Sequence, residues 1–334
     1  MVMTTVCIFA PSLSHELETI GYLFRSSGVD VIFATRPTGD ERTEHPWSLQ
    51  RVAGQNHKVR WTTDEPESAD LLITEAFVDA QYQSSRDCWI SRSKEVAFLF
   101  PHEGMTVKRR VAYLLRYWPH SVTARTAIFF GDRRNSFDAW SPTFQRRAFY
   151  SPYIHPQLFS DEPLNQVFAE FSIKEARQYA IGFMGNKNPK ERSTILAECR
   201  RAIEQAKAKS FWIEYGDNEH QNALTPEQFI SALGQMDFCL CPTGWSRWTH
   251  RVVESLCRGA VPILQDAHLY GLDLQDSVNC IMVKGGDWYS SVKAALSLPM
   301  EDLQNMRRNI IDLRDKKLLP AGAARRFSGQ FKIR

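Results

Sequence analysis

The sequence has no window approaching the roughly 18–20 apolar residues of a membrane span, which argues against a helical membrane protein. Its first ten residues, Met1–Ala10, have neither a basic flank nor an apolar stretch long enough for a signal peptide, so a cytoplasmic location is expected. Long runs of one charge are missing as well. Lys and Arg number 41 against 38 Asp and Glu, a net charge of +3, and arginines fall in scattered pairs such as Arg133–Arg134 and Arg200–Arg201. Without a basic stripe the chain lacks the footprint of a nucleic-acid partner. The seven cysteines are an odd set, and Cys7, Cys239 and Cys280 sit inside apolar runs, as free core thiols in a reducing compartment do. Cys239-Leu-Cys241 has neither the two-residue spacer nor the second ligand pair of a zinc site. No G-x-G-x-x-G follows a strand, in Ala10–Ser14 or in Gly182–Asn188, which excludes a dinucleotide oxidoreductase.

What is present is enough for two cores. The 334 residues fit two domains of about 150 each, with 43% hydrophobic and 12% aromatic residues to fill them. Short apolar runs at Val6–Ala10, Val29–Ala34, Ala69–Thr74, Val96–Phe100 and Ala127–Phe130 read as strands in the first half. Tyr179–Met184, Phe211–Tyr215, Asp237–Cys241, Val261–Leu264 and Cys280–Val283 do so in the second. Helical spacing appears between them. Leu17, Ile20, Leu23 and Phe24 recur after Ser14 and stop at Gly28, and Asn188-Pro189-Lys190-Glu191 combines a cap, a first-turn proline and a box glutamate. This alternation predicts an α/β chain of two Rossmann-like, doubly wound domains facing a central cleft, where ligands meet the carboxyl ends of the strands. Pro152, Pro156 and Pro163 mark the boundary. The expected domains are 1–155 and 156–320, followed by a basic tail, 321–334, whose Phe327 and Phe331 leave peripheral membrane contact open.

The chemistry is concentrated between Phe238 and Asp266. A buried strand ends at Pro242, a loop with Thr243, Gly244, Ser246 and Arg247 follows, and a helix starts near Thr249. Gly244 lets a ligand approach the backbone, and a helix N-terminus is a natural partner for phosphate. Arg251 in the first turn opposes the helix dipole unless an anion lies there. Glu254, three residues on, shares its face, so Arg251 is read as a phosphate ligand and Glu254 as the partner of ribose hydroxyls. The bland alternative is a solvated Arg–Glu pair, which contributes little.

The run Phe238-Cys-Leu-Cys-Pro-Thr-Gly, then Arg251-Val-Val-Glu-Ser-Leu, then Arg258-Gly-Ala-Val-Pro-Ile-Leu ending at Asp266 resembles the signature of exostosin-like glycosyltransferases. Tyr179-Ala-Ile-Gly-Phe-Met-Gly-Asn followed by Arg192, and Tyr270-Gly-Leu-Asp-Leu-Gln-Asp, extend the likeness over about Tyr179–Arg308. The resemblance implies a GT-B fold, with a nucleotide-sugar donor held by the C-terminal domain and a glycan or glycoconjugate acceptor by the N-terminal one. By position it implies Arg251 on the diphosphate, Glu254 on the ribose, Thr243 and Gly244 in the phosphate loop, and Gly185 opposite it. Lys187, Arg192, Ser246, Arg247 and Thr249 complete the expected donor set. Where the family often has Ser-Pro, this chain has Thr249-His250; Thr249 keeps a capping hydroxyl and His250 adds a titratable group.

No Asp-x-Asp occurs anywhere, so cationic side chains and helix dipoles are expected to stabilise the leaving diphosphate without a metal or other cofactor. Ser246 stands where retaining enzymes of this fold carry a first glutamate ahead of Glu254, which leans toward inversion. Inversion needs a general base. His102 and Glu103, in Pro101-His-Glu-Gly after the fourth strand, rank first, followed by His15; Glu75 and Asp132 also end strands. Trp245 and Trp248 are candidates to stack a base or sugar, ahead of Trp288 and Tyr289, where core packing is the simpler role. The expected activity is sugar transfer from a nucleotide sugar, UDP-linked first, in polysaccharide or glycoconjugate assembly. The alternative is a degenerate transferase that binds nucleotide sugar or carbohydrate without turnover.

Overall fold

Branched and aromatic residues at the predicted runs form two parallel sheets. The computed structural model describes residues 5–9, 29–34, 59–61, 68–75, 80–100 and 126–130 of the first half, then 169–173, 177–188, 190–216, 224–243, 249–270 and 272–319, with a few isolated positions. The chain divides into two units, Met1–Ser160 with Pro320–Arg334, and Asp161–Leu319. Among the described residues no helix is long and apolar enough to cross a membrane.

In the first unit the strands are β1 (Thr5–Phe9), β2 (Asp30–Phe33), β3 (Val59–Trp61), β4 (Ala69–Glu75), β5 (Ser93–Phe100) and β6 (Thr126–Phe130). They lie in the order β3-β2-β1-β4-β5-β6, every pair parallel. Val6, Cys7, Ile8 and Phe9 are all 0% exposed, as in a central strand covered on both faces. Helix α1 (Ala80–Arg92) connects β4 to β5 and buries Trp89. Asp70 joins neighbours at the start of the sheet, accepting from the Thr5 amide at 3.1 Å and pairing with Lys94 at 2.7 Å.

The second unit runs β7 (Tyr179–Asn186), α2 (Lys190–Gln205), β8 (Ser210–Tyr215), α3 (Pro226–Gly234), β9 (Met236–Leu240), α4 (His250–Cys257), β10 (Val261–Leu264), β11 (Ile281–Met282), α5 (Trp288–Leu296) and α6 (Met300–Leu313). After α6 the backbone widens into π geometry over Arg314–Leu318. The strand order is β11-β10-β9-β7-β8, again parallel. From β7 the chain steps outward to β8, then crosses back to β9 and continues the other way. The winding therefore reverses between β7 and β9, and in such sheets ligands bind outside the carboxyl ends at that reversal.

The amino end of this sheet is tied by arginines. Arg177 donates from Nη1 to the Met236 carbonyl at 2.8 Å and from Nη2 to the Arg258 carbonyl at 3.0 Å. Arg307, fully buried, pairs with Asp237. Gly259 ends α4 with φ +68°, and the Phe171 ring lies so close that a Cβ there would overlap it. Arg177 and Arg314 stack on that ring at 5.7 and 5.1 Å from its centroid. The Ala169 carbonyl accepts from Arg258 Nη1 at 3.2 Å and Arg314 Nη1 at 3.3 Å.

Several elements are not read from the sequence, β3 and α1 among them. Strand β3 is three residues at the sheet edge, too short for a period, and α1 has a polar composition that hides its single buried tryptophan. Strand β5 also begins three residues before Val96, because Ser93 pairs with Ala69.

Candidate functional site

The reversal between β7 and β9 is where the second unit gathers its site residues. Strand β7 ends in Gly185-Asn186, and the segment beyond β9 is Cys241-Pro242-Thr243. Alternate residues of a strand share a face, so Phe183 and Gly185 point the same way. The Arg251 guanidinium lies on that surface, 4.9 Å from the centroid of the Phe183 ring, and a Cβ at Gly185 would collide with Arg251 Nη2. Gly185 has φ +151°, a conformation that side chains disfavour, so the absent side chain serves both backbone and arginine. Arg251 Nε and Nη1 are buried and find no hydrogen-bond acceptor among the described residues. Buried polar groups are nearly always hydrogen-bonded, so the acceptor for this guanidinium lies beyond the described residues.

Arg192 lies at the same edge, 7% exposed, in the first turn of α2. Nε donates to the Thr243 carbonyl at 2.9 Å and Nη1 to the Asn186 carbonyl at 2.7 Å. Burial first, and then the neighbouring Arg251 charge, bring its pKa down to about 10, still protonated at neutral pH. Two guanidiniums thus share a partly desolvated strand edge, an arrangement that favours an anion. The sequence places Arg192 in the expected donor set, and two of its nitrogens are committed to main-chain carbonyls.

Helix α4 brings Arg251 to this edge and carries Glu254 about one turn further on. Glu254 is 3% exposed, so the bland reading of a solvated Arg–Glu pair is wrong. Val252, Val253 and Leu256 anchor the helix in the core, none more than 1% exposed. Thr249 stands at the N-cap, but its hydroxyl makes no capping bond, contrary to expectation. Its amide donates to Tyr270 Oη at 3.0 Å instead. Tyr270 is 3% exposed, and burial pushes its phenol far above the ordinary range, so it stays protonated and holds the helix entrance in place. In the sequence Tyr270 and Phe183 stand only as parts of motifs. The signal for Phe183 was its place two residues before Gly185, on the same strand face.

The remaining expected residues distribute as follows. Lys187 is exposed, its amide bonded to the Tyr215 carbonyl at 3.0 Å and its carbonyl accepting from Ser193 Oγ at 2.9 Å. Thr243 is half-buried. His250 is half-buried at the first position of α4. Trp288 is 1% exposed, a core residue, and Tyr289 stacks under Arg201 at 4.5 Å and bonds Gln205 on α2. Gly244, Trp245, Ser246, Arg247 and Trp248 lie outside the described residues, as do His15, His102, Glu103, Asp132 and the side chain of Glu75.

Comparisons with known proteins give a family and, separately, a fold. The family model of the exostosin GT47 domain matches residues 98–279, more than half of the chain. The probable glucuronoxylan glucuronosyltransferase IRX7 of Arabidopsis thaliana is 29% identical over 116 residues, 33% of this chain and 24% of that protein. The probable beta-1,4-xylosyltransferase IRX10L of the same plant is 33% identical over 55 residues, 16% of this chain and 13% of that protein. The matches therefore span a quarter or less of those relatives. Among solved structures, the N-terminal domain of Candida albicans trehalose-6-phosphate phosphatase superposes with TM-score 0.56 at 10% identity, over 99% of this chain and 97% of that one. HepE of Anabaena, solved with UDP and glucose, gives TM-score 0.50 at 8% identity over 98% of each chain. At such identities the likeness is one of fold, and the fold is GT-B.

Proposed function

The chain belongs to the exostosin GT47 family, and on that premise we propose that it is a glycosyltransferase moving a sugar from a nucleoside-diphosphate donor, UDP-linked in the first instance, to a glycan or glycoconjugate hydroxyl. The observation that carries the proposal is Arg251, whose buried Nε and Nη1 find no acceptor among the described residues at the sheet reversal where such folds bind ligands. A diphosphate oxygen there would satisfy those donors and answer the paired charge of Arg192 and Arg251. Glu254, on the same helix, takes the ribose hydroxyls. As the glycosidic bond to the diphosphate breaks, negative charge grows on the leaving oxygen, and preorganised cations that need not move stabilise it most. This charge makes a divalent ion dispensable, and we propose a metal-independent, inverting transfer. The base is His102 or Glu103, with His15 next, accepting the acceptor hydroxyl's proton as it attacks the anomeric carbon. The names of the relatives point to a hexuronosyl or pentosyl donor.

The test is a calorimetric titration with UDP, GDP, CMP and their sugars, repeated with Arg251→Ala and Glu254→Ala. Losing hydrogen bonds to a charged group costs about 1.5–3 kcal/mol, so Arg251→Ala should weaken UDP binding by roughly 10- to 150-fold. If no nucleotide binds the native chain, or both variants bind as it does, the proposal fails. Slow hydrolysis of the donor without added acceptor would show turnover, and its absence with every bound sugar nucleotide would point to a binding protein.

A further inference from the structure

The donor reading draws on the charge of Arg192 but not on its two hydrogen bonds. The residue is buried in the first turn of α2, and long side chains of a helix lean back toward its N-terminus, here toward the strand ends. Its two hydrogen bonds reach opposite sides of the sheet reversal: Asn186 at the end of β7 and Thr243 beyond the end of β9. These are not ladder bonds. The pairing of β7 with β9 runs from Tyr179–Met236 to Gly182–Cys239 and goes no further, so the two strands part before Gly185 and Thr243. Beyond that point, one guanidinium spans the gap. Asn186 is itself held in a turn, its Oδ1 accepting from the Asn188 amide at 2.7 Å. Cys241 is fixed on the other side by its amide bond to the Ile263 carbonyl at 2.9 Å.

We infer that Arg192 is a positioning residue: it sets the width of the opening between the ends of β7 and β9, and so the placing of Gly185 and Thr243 around a bound diphosphate, without being a ligand itself. The planar guanidinium is suited to this role, because Nε and Nη1 face different edges of a rigid plane and fix two acceptors at once. A lysine supplies the same charge from a single point and cannot hold both carbonyls at their present places. Nε and Nη1 of Arg192 each donate to a main-chain carbonyl, whereas the same two nitrogens of Arg251 find no acceptor among the described residues, which separates the two arginines by role.

The comparison is native chain against Arg192→Lys, with Arg192→Gln as the second variant should the lysine form fold poorly. Amide hydrogen exchange, read without any nucleotide, should accelerate in 185–188 and 241–243 of the variant while 180–183 and 237–239 keep their native rates. Equal rates at both strand ends would overturn the inference. UDP titration, which rests on the donor-site reading, should show affinity reduced about tenfold or more in Arg192→Lys, because charge alone does not restore the geometry. A lysine variant that binds UDP within about twofold of native, a difference worth under half a kcal/mol, would show that the charge of Arg192 alone suffices and would also overturn the inference. If the native chain binds no UDP, the donor reading fails, and the exchange comparison alone decides for or against the clamp.

Discussion

Replacing Gly185 by alanine would put a methyl group where the Arg251 guanidinium now lies. Two costs follow from the geometry. The backbone at Gly185 has φ +151°, and holding a residue with a Cβ in such a region costs of order 1–3 kcal/mol. In a unit of this size, each kcal/mol lowers the melting temperature by about 2–4 °C, so a drop of roughly 2–12 °C is expected. The second cost is to binding. The obstructing atom, Nη2, is the far end of a flexible side chain, so Arg251 would swing off the Phe183 ring rather than unfold the strand. A displaced guanidinium loses charge-assisted bonds of about 1.5–3 kcal/mol, and UDP affinity should fall roughly 10- to 150-fold. Gly182→Ala is the matched control. Its Cβ would meet Met236 Cε at 2.7 Å and the Phe211 carbonyl oxygen at 2.9 Å, inside the sheet and away from Arg251. It should destabilise the fold while leaving UDP affinity in the surviving native fraction near that of the parent. Differential scanning calorimetry and isothermal titration on both variants separate the effects. The reasoning is refuted if Gly185→Ala binds UDP as tightly as the parent, or if Gly182→Ala loses as much affinity.

Two further outcomes probe the second unit and the core. Asp276 feels burial, which raises its pKa, but the Met282 amide and Lys284 outweigh that and hold the carboxyl below the usual range. A depressed folded pKa gives stability that is present above the unfolded value, near 3.9, and lost as pH falls through the lower folded one, so the melting gap between parent and Asp276→Asn should be widest above about pH 5 and narrow as the solution is made more acidic than the unfolded value; a gap constant with pH contradicts this. All seven cysteines are free and only Cys88 is not buried, so a thiol reagent should titrate one group quickly in the native chain and seven after denaturation. Fast reaction of three or more would show that the core thiols are open to solvent.

Most strands were legible because a parallel strand covered on both faces is a short apolar run, and Val261–Leu264 matches its run residue for residue. Edges were harder. Val59–Trp61 carries Arg60 in its middle and nothing in its pattern separates it from a loop. Helix α3 opens on a capping box at Thr225-Pro226-Glu227-Gln228, with Gln228 N bonded to Thr225 Oγ1 at 3.3 Å and Thr225 N to Gln228 Oε1 at 2.9 Å. In the site, the spacing of Arg251 and Glu254 suggested a shared purpose, but only burial distinguishes it from a surface pair. Arg192 and Thr249 show the limit more sharply. Their partners are the carbonyls of Asn186 and Thr243 and the hydroxyl of Tyr270, groups brought together by the sheet reversal and not by sequence neighbourhood. A main-chain acceptor carries no residue code, so a side chain's choice between a carbonyl and a phosphate is invisible until the strands are paired.

The Ala169 carbonyl, held by Arg258 from the end of α4 and by Arg314 from the end of α6, marks a place where the beginning and the finish of the second unit meet. A module whose entrance and exit adjoin is a cassette: it can be lifted out of one chain and set into a surface loop of another with little rebuilding. The division of the chain has that form, since 320–334 groups with 1–160 on the far side of the 161–319 insert. Joined ends also invite rearrangement. A permuted cassette opened at a surface turn such as Gly285–Gly286, with 169 and 319 linked, would present the same sheet reversal from a different starting residue.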